Sequence, residues 1–273
     1  MKEKTYLKWY NKVGYGFGDI AGNVVYALLS SFVMIYLTNT VGLNPGIIGT
    51  LIAVFMICAT YILQQIYTAM LNMGIYYMTY ILFNENLYGV FSWAINIPLI
   101  IALLITPMLV EKWRGMYKLN LTGYVIGTIG RALVVVAGYL GSVPLMLLFT
   151  GIAAFGMGPW QGDMNAVIAS CSEYTYLTKH KRVDGTMYSC TSLGIKLGGG
   201  IGIAITGWLL DFSGFDGTLA VQSDSCIQML QIMYLWIPVV ITLIITVIMA
   251  KMNVEKANEK LLQEKSMKDG MHD

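Results

Sequence analysis

Four charged residues lie inside stretches of the chain that are otherwise apolar: Asp19, Arg131, Asp163 and Lys196. A charge at the centre of a lipid bilayer costs roughly 2.5–3.5 kcal/mol on insertion scales, so each needs an oppositely charged partner or a water-filled cavity. Two acids and two bases on four separate stretches therefore predict ion pairs around a polar cavity inside a membrane protein.

The neighbours of these charges favour contact with a polar ligand. Asn23 follows Asp19 by one helical turn and shares its face. Pro159 precedes Trp160, and proline kinks a helix and leaves a carbonyl without its usual partner. An aromatic face such as that of Trp160 can stack on a sugar ring. The predicted substrate-binding residues are Asp19, Asn23, Trp160, Gln161, Asp163 and Lys196.

Structural roles for the same residues stay open. Asp19 follows soon after Lys12, which also suits a place among the lipid headgroups. Arg131 could reach the membrane surface along its aliphatic stem or pair structurally with Asp163, and Lys196 could do the same. Trp160 also suits a membrane interface, where tryptophan is enriched.

The elements that carry these residues must be membrane-spanning helices. Between Val13 and Val110 the chain has only two acids or bases, Asp19 and Glu85, and its mean hydropathy is +0.64. A spanning helix needs about 20 apolar residues, and this region contains several such lengths in series. Because no sustained alternation of polar and apolar residues suggests strands, we predict an all-α multi-pass bundle of about seven or eight spans.

Basic clusters predict the topology. They include the N-terminal lysines, the 112–118 region, the 179–182 region and the tail after Lys251. The positive-inside rule predicts that both termini are cytoplasmic. We expect the membrane to be the plasma membrane. The stretch from Ile47 to Phe83 must then cross the membrane twice, with a turn near Gln64-Gln65, or not at all. The charged tail is predicted to be a solvated helix or a disordered end.

Several function classes find no support in the sequence. The two histidines, His180 and His272, lie in a loop and in the tail, without a nucleophile–base pair or metal-ligand spacing, so we predict no enzyme. The four cysteines form no CxxC pattern and are expected to be buried apolar residues rather than metal ligands or disulfides. The clustered basic residues indicate topology rather than nucleic-acid binding.

Two groups of motifs resemble a known family. The first runs from Lys12 to Asp19 as KVGYGFGD and continues with Asn23 and then Tyr36-Leu37-Thr38-Asn39. The second combines Glu173-Tyr174, Arg182-Val183-Asp184-Gly185 and Lys196-Leu197-Gly198. Both resemble the glycoside–pentoside–hexuronide:cation symporters, the melibiose-permease-like members of the major facilitator superfamily.

The resemblance implies a shortened version of a twelve-helix fold. It implies a first-half remnant at 1–58, a second-half helical bundle at 59–252 and a cytoplasmic tail at 253–273. Most of the family's helices two to six have no counterpart, and neither do the cation-site carboxylates of its helices two and four. The sugar-contacting acid of the family's first helix falls on Asn23. Arg131, Arg182 and Asp184 are predicted gating residues, although Arg182 and Asp184 also suit a solvated loop.

Two hypotheses of function follow from the resemblance. The first is a sugar:cation symporter homologue, either active or inactivated by the internal deletion, with no cofactor besides a coupling Na⁺ or H⁺. Its partners would be the lipid bilayer, a small sugar and, for a complete cavity, further copies of the chain. The second is a membrane protein that does not transport but associates with a full-length transporter.

Overall fold

A computed structural model of the chain describes residues 46–179 and 184–269, and side chains from residue 56 except at 179–184, 186, 190, 265 and 268–269. The chain divides into two compact units, residues 1–49 and 50–273, and the account below concerns the second. Its described residues form helices and no strand. The helices are α1 (Gly46–Asn72), α2 (Gly74–Tyr80), α3 (Leu87–Trp113), α4 (Met116–Tyr139), α5 (Val143–Lys179), α6 (Asp184–Phe212), α7 (Asp224–Gln231), α8 (Ile237–Lys251) and α9 (Val254–Asp269).

Five helical stretches among the described residues are long and apolar enough to cross a membrane. They are Leu87–Trp113, Met116–Tyr139, Val143–Thr178, Met187–Phe212 and Asp224–Glu264. The prediction of an all-α multi-pass membrane protein is confirmed. At 37 residues, α5 is about 55 Å long and exceeds a hydrocarbon core of about 30 Å, so part of it extends beyond the lipid tails.

The stretch from Ile47 to Phe83 differs from the predicted arrangement. Helix α1 continues through Gln64 and Gln65, so a pair of crossings with a turn there is wrong. Glutamine is a good helix former. In addition, the backbone carbonyl of Gln64 accepts a hydrogen bond from the Thr68 hydroxyl at 3.0 Å. The break comes instead at Met73, before the short helix α2.

Helices α4 and α5 pack with their backbones almost in contact. A Cβ added at Gly156 would lie 2.6 Å from the Gly123 carbonyl oxygen and 2.8 Å from the Gly127 nitrogen. A Cβ added at Gly130 would lie 2.9 Å from the Ala153 nitrogen. In lipid, helix association depends on van der Waals packing, and small residues permit this close approach. The glycines therefore determine the separation and register of the two helices.

A second glycine stripe joins α6 to α1. A Cβ added at Gly198 would lie 2.7 Å from the Ile62 Cα, and one at Gly202 would lie 2.9 Å from the Ala69 Cβ. Gly194 approaches Tyr61 in the same way. This stripe follows a four-residue spacing, so its members share one face of α6.

The helical path from α7 to α8 passes through a π turn at Ile232–Trp236. Pro238 follows at the start of α8 and has no N–H to donate to the Tyr234 carbonyl four residues before it. The wider turn accommodates this missing bond. It leaves Met233, Tyr234 and Leu235 buried in the bundle.

The charged tail is helical, as predicted, but it is not simply solvated. Asn253 caps α9 by accepting a hydrogen bond from the Lys256 N–H at 3.2 Å. The helix then packs against α5 and the start of α4. We call this side of the unit, with the 112–118 loop and Lys251, the basic end.

Substituting Gly156 by alanine should destabilise the α4–α5 contact by about 1–3 kcal/mol, the usual cost of overpacking a core. Gly89 on α3 is the matched control, because a Cβ added there meets no atom within 4 Å. Alanine is the better helix former, so Gly89→Ala should be neutral or stabilising. Thermal unfolding of the purified protein in detergent would show the difference, and equal midpoints for both variants would contradict the packing argument.

Candidate functional site

Polar side chains from three helices meet in the interior of the bundle. Asn120, Tyr124 and Arg131 are spaced by four and seven residues, so they share one face of α4. Gln64 and Tyr67 face them from α1, and Trp160 and Asp163 face them from α5 through the contacts below. Gln64 and Tyr67 are three residues apart, as are Trp160 and Asp163, so each pair also lies on one face of its helix. We call these seven residues the polar row.

Asp163 and Asn120 form the part of the polar row nearest the basic end. The Asn120 amide nitrogen donates to both carboxylate oxygens of Asp163, at 2.9 and 3.0 Å. Both side chains are buried, with 7% and 4% of their surface exposed. Asn120 follows Met116 by four residues, which places the pair about 6 Å inside the start of α4. The side-chain oxygen of Asn120, Oδ1, has no hydrogen-bond partner among the described residues.

Tyr124, Gln64 and Trp160 form the middle of the row. The Tyr124 hydroxyl donates to Gln64 Oε1 at 2.6 Å. The Tyr124 ring meets the Trp160 ring edge to face, with centroids 6.4 Å apart. Trp160 is buried, and its indole N–H has no partner within the described part of the chain. Buried tyrosine and tryptophan side chains usually have a hydrogen-bond partner, so the Trp160 N–H is an exception to this rule.

Arg131 is buried against Tyr67. Its Nε donates to the Tyr67 hydroxyl at 2.7 Å, and its guanidinium carbon lies 5.3 Å from the centre of the Tyr67 ring. Nη1 and Nη2 have no partner among the described residues. The cation is therefore held by a phenol and its π-face, and not by a carboxylate in this part of the molecule.

Arg131 does not pair with Asp163, which was one of the structural alternatives for these two residues. Asp163 is held by Asn120 and Arg131 by Tyr67, because the two charges lie at different levels of the bundle, one on α5 and one on α4. A neutral amide and a phenol take the places predicted for opposite charges.

The other predicted residues are divided between the interior and the surface. Trp160 and Asp163 are buried in the polar row, whereas Gln161 and Lys196 are exposed on α5 and α6. Asp19, Asn23 and Arg182 lie outside the described residues, as does the side chain of Asp184. Their predicted roles are not tested by the structure.

A small cavity adjoins the polar row at the basic end. Its volume is about 30 Å³. Asn120 and Trp160 line its inner part, and Met249, Met252 and Val254 contribute apolar walls from the opposite side. Glu255, Tyr117 and Ser170 also line it. The cavity therefore connects Asn120 and Trp160, two buried side chains that have unpartnered polar atoms, with the start of α9.

Helix α9 is attached over this cavity by side-chain hydrogen bonds. The Glu255 carboxylate accepts from the backbone N–H groups of Met116 at 2.8 Å and Tyr117 at 3.0 Å, which caps the start of α4. The Tyr117 hydroxyl donates to the Ala250 carbonyl at 2.8 Å. The Asn258 amide donates to the Ser170 carbonyl of α5 at 2.9 Å.

Gly115 permits the Glu255 cap. Its φ is +156°, and a Cβ added there would lie 2.8 Å from Glu255 Oε2. A larger residue would displace the carboxylate from the helix terminus. The attachment of α9 thus depends on one glycine and one acid that are 140 positions apart in the sequence.

Four members of the polar row were not predicted as site residues: Gln64, Tyr67, Asn120 and Tyr124. The signal that could have found them is their spacing, since Asn120, Tyr124 and Arg131 recur on one face of an apolar helix. Glu255 gave no such signal, because its partners are backbone N–H groups of a distant helix. Within the described residues no group of three His, Cys, Asp or Glu side chains is placed to hold a metal ion.

The sequence profile of the MFS/sugar transport protein family matches residues 53–256, well over half of the chain. The chain belongs to this family. The match includes the whole polar row, the cavity and Glu255, and it begins after the residues of the first-helix resemblance. The recognition of a major-facilitator sugar transporter family from the sequence is thereby confirmed.

The chain is also similar to a curated protein, the isoprimeverose transporter of Lactiplantibacillus pentosus. The two are 24% identical over 194 residues, which is 71% of this chain and 40% of the relative. The chain thus aligns with less than half of the length of that transporter.

Replacing Glu255 by alanine should release α9, because the first N–H groups of α4 lose their acceptor. Cleavage by trypsin after Lys256 and Lys260 in the detergent-solubilised protein should become faster. Glu259→Ala is the matched control, since Glu259 is an exposed acid on the same helix. If both variants are cleaved at the wild-type rate, the Glu255 cap does not hold the helix.

Proposed function

We propose that the chain acts in sugar transport across the plasma membrane, as a homologue of sugar:cation symporters, and that the polar row forms part of one wall of its substrate path. The observation that supports this most directly is the polar row, which runs through an apolar bundle. Polar and ionisable residues inside membrane spans are costly and usually mark substrate or ion pathways.

The cavity at the basic end is too small to hold a sugar. Pockets that bury a small ligand have volumes of about 300–1,000 Å³, whereas the cavity at the basic end has a volume of about 30 Å³. In transporters of this general type, substrate lies between two halves that move relative to each other. A sugar would therefore be bound between the polar row and a second wall, supplied by other residues of this chain or by another molecule.

The residues proposed to bind substrate are those predicted from the sequence. Trp160 would offer its aromatic face once the bundle opens, and its unpartnered indole N–H would donate to a sugar hydroxyl. Gln161 and Lys196 would contribute from the surface of α5 and α6, and Asn23 from the N-terminal part of the chain, with Asp19 as a polar neighbour. Asp163 completes the predicted set, and Arg131, Arg182 and Asp184 would act in gating.

Substrate uptake tests this proposal. Cells that express the chain would be supplied with labelled glycosides and pentosides under a sodium, lithium or proton gradient. We expect accumulation driven by one gradient, and we expect Lys196→Ala and Trp160→Ala to reduce it at least tenfold, because both remove substrate contacts.

Trp93→Ala is the matched control for the tryptophan variant, because Trp93 on α3 is 67% exposed and far from the predicted site residues in sequence. Its uptake should equal that of the wild type. Absence of uptake by a wild-type chain that is correctly inserted in the membrane would mean that the shortened chain is inactive alone.

The second candidate is a protein that does not transport but associates with a full-length transporter. The open face of α6 favours it. Gly199, Gly200 and Gly207 would each accept a Cβ with no atom of the described residues within 4 Å, unlike the stripe that packs on α1. Small residues on an open face suit close packing of a further helix in lipid.

Gly200→Leu should abolish such association, because the larger side chain would keep the second backbone away. Co-purification with an affinity-tagged full-length transporter of the same family would measure it, with Gly89→Leu on α3 as the control. Retained association of Gly200→Leu would exclude this face of α6 as the contact.

A further inference from the structure

Asp163 is a buried carboxyl group with few compensating interactions. A carboxylate has about four lone-pair positions for hydrogen bonds, and the side-chain bonds described for Asp163 all come from one nitrogen of Asn120. That nitrogen is neutral, and the side chain is only 7% exposed. Burial of an ionised carboxylate without a cation or several donors is costly, and such groups commonly become neutral by binding a proton.

Among the described residues, the side chains that face Asp163 carry no positive charge. From α4 it meets Asn120, with Tyr124 one turn further on, and neither carries a charge. Thr106 of α3 packs at the neighbouring Gly162. At the start of α9, the group that lines the cavity beside Asn120 is Glu255, an acid. The Arg131 Nε donates to the Tyr67 hydroxyl, further along α4 than Asn120.

The cavity lined by Asn120, the hydrogen-bond partner of Asp163, has room for water. One water needs roughly 10–15 Å³ of cavity and two to four polar partners, and this cavity has about 30 Å³. Two of its lining residues have unpartnered polar atoms among the described residues. The side-chain oxygen Oδ1 of Asn120 is an acceptor and the indole N–H of Trp160 is a donor, and both residues are at least 96% buried. Glu255 lines the same cavity where α9 begins.

We propose that Asp163 is a proton-binding site that exchanges its proton with the basic end of the bundle through a hydrated cavity beneath α9. The carboxylate accepts a proton from a protonated water in the cavity, which forms an O–H bond on Asp163 and leaves a neutral water. Release reverses the step, with the proton passing to a cavity water and outward past Glu255. No electron transfer or other co-reactant is needed.

The inference rests on the proposed function in one respect, because it makes the proton the coupling cation. In a symporter, a carboxyl group that is neutral in one state and ionised in another can link proton movement to substrate movement. Asn120 would serve as a positioning residue, since its amide nitrogen holds the carboxyl group of Asp163 and Asn120 also lines the cavity.

Infrared spectroscopy of the protein reconstituted in lipid tests the site without any transport. A protonated carboxylic acid has a carbonyl stretch that is distinct from that of a carboxylate. We expect such a band at neutral pH, moving to lower frequency in D₂O and disappearing in Asp163→Asn. Asp211→Asn, which removes an exposed acid from the end of α6, should leave the band unchanged.

Folding of the variants does not limit this test. In the wild-type protein, ¹³C labelling of the aspartate carboxyl groups should shift the band, which assigns it to aspartate without a substitution. If the labelled wild type has no protonated aspartate between pH 5 and 8, the proton site is overturned.

The route is tested by filling the cavity. Val167→Phe adds bulk at a lining residue and should slow deuterium exchange at Asp163 severalfold. Ala166→Phe adds the same ring at the neighbouring exposed position and should leave the exchange rate unchanged. Equal rates in both variants would overturn the route through this cavity.

Transport then separates the two proposals. If the chain accumulates labelled sugar under a proton gradient, Asp163→Asn should lose that accumulation. Accumulation that persists in Asp163→Asn would overturn the role in coupling. If the wild type moves no sugar at all, the proposed function fails, while the infrared band still decides the proton site.

Discussion

The close approach of α4 and α5 is the constraint on which the interior depends. Gly123 and Gly156 bring the two backbones almost into contact, and any Cβ at either position would collide with the opposite main chain. Asn120 lies one turn before Gly123, and Trp160 and Asp163 lie one and two turns after Gly156. The register that the glycines impose therefore places Asn120 opposite Asp163 and Tyr124 against Trp160. A shift of one turn would leave each of these polar groups facing apolar side chains.

The same register explains why α9 belongs to the site. Because α4 begins only one turn before Asn120, its uncapped N–H groups lie beside the cavity, and an acceptor is required there. Glu255 supplies both oxygens to this terminus. Glu255, which completes the helix, thus also lines the cavity beside Asn120, the partner of Asp163. Stability of the helix end and access to the buried acid are consequently linked through one side chain.

Fold class and family could be predicted from the sequence because they depend on properties that lie along the chain. Apolar lengths and basic loops indicate the spans, and the motifs around Glu173, Arg182 and Lys196 indicate the family. The partners of Arg131 and Asp163 could not be predicted, because pairing by opposite charge ignores the level of each residue in the bundle. The turn expected at Gln64-Gln65 failed for a related reason. Topology rules constrain the number of crossings, whereas the helix itself continues wherever its backbone bonds and side-chain partners allow.

The polar row differs in chemistry between its two ends. Near the basic end, an acid is held by a neutral amide beside a cavity with room for water. Deeper along α4, a cation is held by a phenol, with two of its nitrogens unpartnered among the described residues. Each charge is satisfied only in part, which is costly inside a bundle and is commonly seen at groups that change partner or protonation state during function. An acid that can become neutral avoids this cost by binding a proton, whereas an arginine cannot lose its charge. The charge at Asp163 would therefore be removed by binding a proton, whereas the charge at Arg131 would be stabilised by an anionic or dipolar partner.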